Sequence, residues 1–205
     1  AEWRLTMNEK ELAALNIGQN LDQLMNLDPR GYGICRILYK ASREYTGEPL
    51  TINAAKKLID TVHEGDLVYI ITGFVLLPHK KAEMDGICSS LALARAIAYA
   101  FGAVPVLVVP EDNVAAIKNL APIAGLHLYD DIKEAEKYPA SLAYTVFTKD
   151  ADKAEKNAQD ILALGMPSAV ISIEAPGANA LGVYHNATGK DLTELEAKSD
   201  VLFKM

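Results

Sequence analysis

Three acidic residues, divided between two polar segments, are the strongest candidates for chemistry in this sequence. Glu83 and Asp85 stand one residue apart immediately before an apolar, alanine-rich stretch, and Glu174 directly follows a run rich in β-branched residues. Carboxylates can bind an amine or a metal ion, and carboxylates in different environments can act as general acid and general base. A purely structural interpretation stays open for the first pair, because Asp85 can cap a helix and Glu83 can favour its positive end.

The first polar segment begins at Thr72-Gly73-Phe74, where a buried strand is predicted to end, and reaches Asp85. A connection of this length exceeds the roughly two to six residues that usually join a strand to a helix. The helix that follows begins at Gly86, and its N-terminus can favour an anionic group of a ligand. The length of the connection therefore favours a function over a simple turn.

The second polar segment covers residues 174–191. Pro176-Gly177 is a turn signal, and a hairpin turned at Thr188-Gly189 would explain the glycines of the segment without any chemistry. The hairpin does not explain why five polar residues crowd into this segment, namely Glu174, Tyr184, His185, Asn186 and Asp191.

The elements that must position these segments alternate along the chain. Apolar, β-branched runs predict buried strands at residues 67–72, 104–109 and 169–173, with further strands at 126–129 and 143–147. Helical periodicity predicts helices between them, at residues 86–101, 113–120 and 149–164. The pattern predicts a doubly wound α/β fold with a mostly parallel sheet and helices on both faces.

An N-terminal helical extension precedes the sheet. Its predicted helices cover residues 20–26 and 31–45, and a third helix, capped by Thr51 or Asn53, continues to residue 63. We expect one domain over residues 1–205, with a helical part at 1–64 and an α/β core at 65–205.

Since parallel strands present their carboxyl ends on one edge, where ligands bind, both acidic segments are expected to share one polar pocket. We expect Thr72, Gly73, Gly177 and Tyr184 on its wall.

Charge and composition narrow the class of partner. The chain has 20 Lys+Arg and 27 Asp+Glu, a formal charge of −7, so it lacks the basic footprint that nucleic-acid binding needs. The apolar stretch at residues 87–110 is divided by Arg95 and Pro105 and does not predict a membrane span. Cys35 and Cys88 have no ligand-spaced partners, which fits a reducing, cytoplasmic location.

Taken together, these segments resemble the D-glutamate cyclase family. Leu27-Asp28-Pro29-Arg30-Gly31 is similar to the family's opening. The chain departs from the family at its first acidic motif, where Met84 stands in place of a threonine, and just after that motif, where Ile87-Cys88-Ser89 stands in place of Pro-Pro-Gly. The family continues past the position of Met205 into a Gly-Asp-Gly-Gly-Asn-Glu segment, so we expect a truncated or diverged member. The resemblance depends on motifs in the family's order, at Thr72-Gly73-Phe74, Glu83-Met84-Asp85-Gly86, Glu174-Ala175-Pro176-Gly177, Gly182-Val183-Tyr184-His185-Asn186 and Gly189-Lys190-Asp191.

The resemblance implies a lyase that reversibly dehydrates D-glutamate to 5-oxo-D-proline. This chemistry needs a neutral α-amine to attack the γ-carboxyl carbon, a proton for the departing oxygen and stabilisation of the tetrahedral intermediate. Our hypothesis is that Asp85 or Glu83 deprotonates the amine and that Glu174 is the opposing acid. Backbone N–H groups near Gly86 and Gly177 would donate hydrogen bonds to a substrate carboxylate or to the oxyanion. The substrate-binding residues that the resemblance implies are Thr72, Gly73, Phe74, Gly86, Gly177, Tyr184, Asn186 and Asp191.

Two other functions stay open. One is a non-catalytic domain that binds a small molecule such as an acidic amino acid. The other is a metal enzyme acting on a small anionic substrate, with Glu83, Asp85 and Glu174 as oxygen ligands. We expect no cofactor and leave a divalent metal open. The expected partner is a small acidic amino acid, with no nucleic acid and no membrane, and a homo-oligomer is left open.

Overall fold

The structure, a computed structural model, describes residues 7–205, so the first six residues of the predicted helical part lie outside the described residues. The chain divides into two units, Ala1–Thr61 and Val62–Met205. The first unit is helical and the second contains the sheet. Our expectation of one domain, with a boundary between its parts at residue 64, stays a prediction.

The first unit consists of three helices, α1 (Glu9–Met25), α2 (Ile34–Thr46) and α3 (Leu50–Thr61). α1 begins with a reciprocal cap, in which the Asn8 side chain accepts a hydrogen bond from the backbone of Glu11 and the Glu11 side chain accepts one from the backbone of Asn8. α2 ends at Gly47, whose left-handed backbone suits glycine. The sequence predicts that this helix ends at residue 45, and it ends at Thr46.

The N-terminus of α3 is satisfied by a residue distant in sequence. The Asp22 carboxylate of α1 accepts hydrogen bonds from the backbone nitrogens of Leu50 and Thr51 at 2.7 and 3.0 Å. The prediction that Thr51 or Asn53 caps this helix is wrong, because α3 begins at Leu50 and both residues lie inside it. A carboxylate supplied by α1 replaces the expected local cap.

The second unit contains seven strands and four α-helices. In chain order the strands are β1 (Leu67–Ile71), β2 (Val75–Leu76), β3 (Lys81–Ala82), β4 (Val104–Val109), β5 (His127–Tyr129), β6 (Ser141–Val146) and β7 (Ala169–Ser172). The helices are α4 (Met84–Phe101), α5 (Val114–Leu120), α6 (Ile132–Ala135) and α7 (Ala151–Leu164), with 3-10 helices at Glu111–Asn113 and Ser199–Lys204.

Five of the strands form one sheet in the order β5-β6-β4-β1-β7, and every neighbouring pair is parallel. On one face, Tyr69 and Val106 pack with Ala158 of α7. α4 packs on the other face, where the alternate residues Ile70 and Leu107 are fully buried. The prediction of a doubly wound α/β fold with helices on both faces is therefore confirmed.

α4 lies against the sheet through small residues. Leu91, Ala94 and Ala98 on this helix are buried, and Ala94 is completely inaccessible to solvent. Alanines at this spacing let the helix approach the sheet closely. Within residues 7–205, no helix combines the length and the apolar character that crossing a membrane requires.

Three details differ from the sequence-based expectation. The connection after β1 is not a plain loop, since it contains the antiparallel hairpin of β2 and β3, and α4 begins at Met84 rather than Gly86. β7 is only partly buried, although a fully buried strand was predicted before Glu174. The reason is that β7 pairs with β1 alone and forms an edge of the sheet.

The strand order creates a crevice at the carboxyl ends of β1 and β7. From β1 the chain continues to β4 on one side, and it returns to the other side of β1 only at β7. In open parallel sheets, ligands bind where the connections diverge in this way. The segments that follow β1 and β7 are the two that the sequence singles out.

Candidate functional site

Backbone hydrogen bonds join the ends of β1 and β7. The N–H groups of Gly73 and Phe74 both donate to the carbonyl oxygen of Glu174, at 3.2 and 2.8 Å. Glu174 has a φ of 46°, in the left-handed region that non-glycine residues seldom adopt. Strained backbone held by tertiary contacts is common at functional sites, and here it sets the direction of an acidic side chain.

Gly86 brings the first turn of α4 against both strand ends. A Cβ atom on Gly86 would lie 2.8 Å from the Thr72 hydroxyl oxygen and 2.8 Å from the Glu174 Cβ atom. Both distances are too short for real carbon contacts, so this position requires glycine. The close approach places Thr72, Gly86 and Glu174 around one point, and Glu83 and Asp85 begin the same helix.

The three acidic side chains interact electrostatically. Partial loss of hydration raises the pKa of Glu174 above its ordinary value, and the negative charges of Asp85 and then Glu83 raise it further. Glu174 is still exposed to solvent on the pocket wall. The two acidic segments thus lie close enough to influence each other, while the catalytic roles of the three residues stay predictions.

Helix capping does not account for this acidic pair. Glu83 occupies the N-cap position of α4 but makes no side-chain capping hydrogen bond. Asp85 lies in the first turn, where its Oδ1 accepts a hydrogen bond from the backbone of Gly86 at 2.7 Å. The Glu83 carboxylate therefore makes no capping hydrogen bond, while its charge can still favour the positive end of the helix.

Two buried polar groups beside these strand ends lack partners within residues 7–205. The Thr72 hydroxyl and the Asn113 side-chain nitrogen are both buried without a hydrogen bond. A Cβ atom on Gly73 would lie 2.7 Å from that Asn113 nitrogen. Buried donors are normally paired, so each of these groups points to a ligand or an ordered water. Sequence reasoning predicted Thr72 and missed Asn113, whose only signal is its place after β4.

A surface pocket of about 450 Å³ opens at Glu174. Phe74 and Gly177, both predicted site residues, lie on its wall. His185 also lines it, with its Nδ1 atom 3.1 Å from the carbonyl oxygen of Asn186. The sequence placed His185 among the crowded polar residues without selecting it for the site. The described lining residues are Phe74, Ser172, Glu174, Ala175, Pro176, Gly177 and His185.

Tyr184 is not among the described lining residues of this pocket. It is buried, and its hydroxyl donates a short hydrogen bond to the Asp200 carboxylate. Burial is the largest cause that raises the pKa of Tyr184, followed by the hydrogen bond to Asp200. Asp200 also accepts a hydrogen bond from the backbone of Ala178 at 3.3 Å, beside Gly177. In this position Tyr184 stabilises the turn that carries Gly177, and its predicted contact with substrate stays a prediction.

Asn186 and Asp191 belong to a hairpin turn. The Asn186 side-chain oxygen accepts hydrogen bonds from the backbone of Thr188 and of Lys190, both at 3.0 Å. Asp191 pairs with His185 in an antiparallel bridge, and its carboxylate accepts a bond from the Thr193 backbone at 2.8 Å. The structural interpretation of the segment is thus observed, and substrate binding by these two residues stays a prediction.

A buried carboxylate fixes the hairpin next to Phe74. Glu196 is 1% exposed, and its Oε1 atom accepts a hydrogen bond from the Val75 backbone at 2.8 Å. Burial raises the pKa of Glu196. The hydrogen bond and the charges of two lysines lower it by a smaller amount, so the pKa stays above its ordinary value. Glu196 could not be predicted from the sequence, because its partner is a backbone group far away in the chain.

Within the described residues, no group of three or more His, Cys, Asp and Glu side chains is arranged to hold a metal ion. Binding an amine requires fewer carboxylates than binding a metal ion, because one or two of the three carboxylates at the strand ends can accept hydrogen bonds from an ammonium group. The expectation of no cofactor, with a divalent metal left open, stays a prediction.

Comparison with known proteins adds one finding. Residues 21–205 match the family model described as "D-glutamate cyclase-like, C-terminal". The matched residues include all of the site residues described above. A search of the curated proteins found no match.

Proposed function

Since the chain belongs to the D-glutamate cyclase-like family, we propose that it reversibly dehydrates D-glutamate to 5-oxo-D-proline in the crevice at the ends of β1 and β7. The observation that carries this proposal is the close approach of α4 to Glu174 at Gly86, which brings the start of the helix, with Glu83 and Asp85, against the end of β7. An α-ammonium group fits such a cluster, because carboxylates accept its hydrogen bonds and compensate its charge.

The proton transfers can be divided between these carboxylates. Asp85 or Glu83 takes a proton from the substrate ammonium group, so that the neutral nitrogen can attack the γ-carboxyl carbon. A carbon–nitrogen bond forms and gives a tetrahedral intermediate. Glu174, whose raised pKa favours its protonated form, gives one proton to the departing oxygen, and the proton first taken from the ammonium group supplies the second. The nitrogen of the intermediate returns its remaining extra proton to Glu174, the carbon–oxygen bond breaks and water leaves, so that both carboxyl groups regain their starting forms. The reverse reaction follows the same steps backwards.

The negative oxygen of the intermediate needs a hydrogen-bond donor. The backbone N–H of Gly86, which we proposed for this task from the sequence, donates to the Asp85 carboxylate at 2.7 Å. The Thr72 hydroxyl is buried beside Gly86 and has no partner within residues 7–205. It is therefore the better candidate to stabilise the oxyanion.

The wall of the pocket at Glu174 also includes His185. An imidazole N–H can donate a hydrogen bond to a carboxylate. In this proposal His185 contacts the end of the substrate that projects from the crevice. The side chain is exposed, so it can also contact water that enters or leaves during the reaction.

The direct test is to incubate the purified protein separately with D-glutamate, L-glutamate and 5-oxo-D-proline and to follow interconversion by NMR. We expect 5-oxoproline from D-glutamate and glutamate from 5-oxo-D-proline. A thermal-shift titration with the same compounds, run in parallel, measures binding without turnover. Binding without product would favour the non-catalytic binding domain, and neither binding nor product would refute the proposed function.

A further inference from the structure

Asn113 extends the site to a third strand. β7, β1 and β4 are neighbours in the sheet, and their carboxyl ends lead to Glu174, to Thr72 and Gly73, and to Asn113. Asn113 is 2% exposed, although it is an amide on a connection at the edge of the sheet. Three adjacent strands therefore each lead to a polar residue at the same edge.

Asn113 does not perform the structural task that its position suggests. It occupies the N-cap position of α5, where asparagine commonly accepts a hydrogen bond from the helix backbone, but its side chain makes no such bond. Its amide nitrogen is buried without a partner among residues 7–205. A buried donor without an acceptor is unfavourable, so an acceptor is expected there.

The surroundings of this nitrogen lead to the substrate crevice. Gly73 lies directly beside it, since a Cβ atom on Gly73 would come within 2.7 Å of the nitrogen. The same Gly73 donates its backbone N–H to the Glu174 carbonyl oxygen. Without a side chain, Gly73 lets the Asn113 amide pack directly against the end of β1, next to the backbone that bonds to Glu174.

We propose that Asn113 is a substrate-binding residue that donates a hydrogen bond to a carboxylate of the substrate. This inference rests on the proposed function, because it takes an amino diacid as the ligand. The acidic cluster suits the ammonium group and repels carboxylates, so the anionic groups need donors elsewhere. The described residues that line the pocket include no lysine or arginine, and an uncharged amide supplies a donor without neutralising the acids.

The first measurement compares Asn113→Leu with the wild-type protein. Leucine keeps the approximate size of asparagine and removes the unpaired donor. We expect the ligand-free melting temperature to stay equal or to rise, whereas the Kd for D-glutamate increases by about tenfold, the loss of one hydrogen bond to a charged group. If Asn113 had only a packing role, its replacement by leucine would instead lower the melting temperature. Asn119→Leu, at an exposed position of the same helix, is the matched control and should change neither quantity.

The second measurement identifies the group that Asn113 contacts. Kd values are measured for D-glutamate, for D-α-aminobutyrate, which lacks the γ-carboxylate, and for γ-aminobutyrate, which lacks the α-carboxylate. If Asn113 binds one of these carboxylates, the ligand without that group loses no affinity in Asn113→Leu, while the other two do. Asn113→Asp, which keeps the shape and adds a negative charge, should weaken D-glutamate binding further, by about another tenfold.

Equal losses for all three ligands, or no loss for D-glutamate, would overturn the role of Asn113. Should the leucine variant fail to fold, the aspartate variant decides, because unchanged D-glutamate affinity in it would overturn the inference as well. The proposed reaction fails separately if the wild-type protein binds D-glutamate through Asn113 but forms no 5-oxoproline. A wild-type protein that does not bind D-glutamate would refute both.

Discussion

The Cα atom of Gly86 faces the Glu174 side chain so closely that a methyl group on Gly86 would lie 2.8 Å from the Glu174 Cβ atom. This contact joins the first turn of α4 to the end of β7 and brings the two acidic segments together. The position therefore links the stability of the fold directly to the geometry of the site.

Gly86→Ala is expected to lower the free energy of unfolding by about 1–3 kcal/mol through overpacking and to weaken D-glutamate binding. Denaturant unfolding and thermal-shift titration measure the two effects. Gly177→Ala is the control for stability, because a Cβ atom there would lie 3.6 Å from the Asp200 Cβ atom, an ordinary contact. Equal stability of the two variants would show that α4 does not approach Glu174 so closely.

The sheet could be predicted because its central strands carry their signal locally. β1 and β4 are unbroken apolar runs rich in β-branched residues, and burial on both faces requires that composition. The hairpin of β2 and β3 was missed because strands of two residues show no periodicity. The cap of α3 was missed because its partner, Asp22, lies on another helix.

The candidate site was only partly predictable for a related reason. Its acidic residues stand in recognisable positions after strands, but which neighbouring side chain faces the pocket depends on strand pairing. The bridge between His185 and Asp191 sets that register, and His185 lines the pocket while the adjacent Tyr184 is buried against Asp200. Asn113 is distinguished only by burial without a partner, which a sequence does not show.

Ala94→Leu tests the packing of α4 on the sheet. Ala94 is completely buried, so a larger side chain must displace its neighbours, and we expect a loss of about 1–3 kcal/mol in the free energy of unfolding. Ala96→Leu places the same change on the exposed side of the helix and should have little effect. A neutral result for Ala94→Leu in denaturant melts would contradict the observed burial.

The pKa of Glu174 predicts a pH dependence of stability. Its pKa in the folded protein is raised above the ordinary 4.5, first by loss of hydration and then by Asp85 and Glu83. Between the unfolded and folded pKa values the folded state holds more protons, so ionisation of Glu174 lowers the stability as pH rises through this window. Glu174→Gln has no ionisable group at this position, so its stability does not decrease through ionisation of residue 174.

The melting temperature of Glu174→Gln, relative to the wild-type protein, is therefore expected to rise as the pH increases above the ordinary pKa of 4.5. Calorimetry at several pH values measures the difference. Glu155→Gln, on the exposed face of α7, should show a difference that does not change with pH. A constant or falling difference for Glu174→Gln would mean that Asp85 and Glu83 do not act on Glu174.

Metal removal separates the proposed chemistry from the metal-dependent alternative. If the three carboxylates bind the amine and transfer protons, treatment with EDTA should leave the rate of 5-oxoproline formation unchanged. The rate is measured before chelation, after it and after addition of Mg²⁺ or Mn²⁺. Activity that disappears on chelation and returns with either ion would instead assign Glu83, Asp85 and Glu174 as metal ligands.

The most direct test of the central claim is the rate of 5-oxoproline formation from D-glutamate by the wild-type protein, Asp85→Asn and Glu174→Gln. Each substitution keeps the size of the side chain and removes a group that transfers a proton. We expect each to lower the rate by about 100-fold or more, while the melting temperature stays within a few degrees and Glu155→Gln keeps full activity. Wild-type rates in both Asp85→Asn and Glu174→Gln would contradict the proposed mechanism.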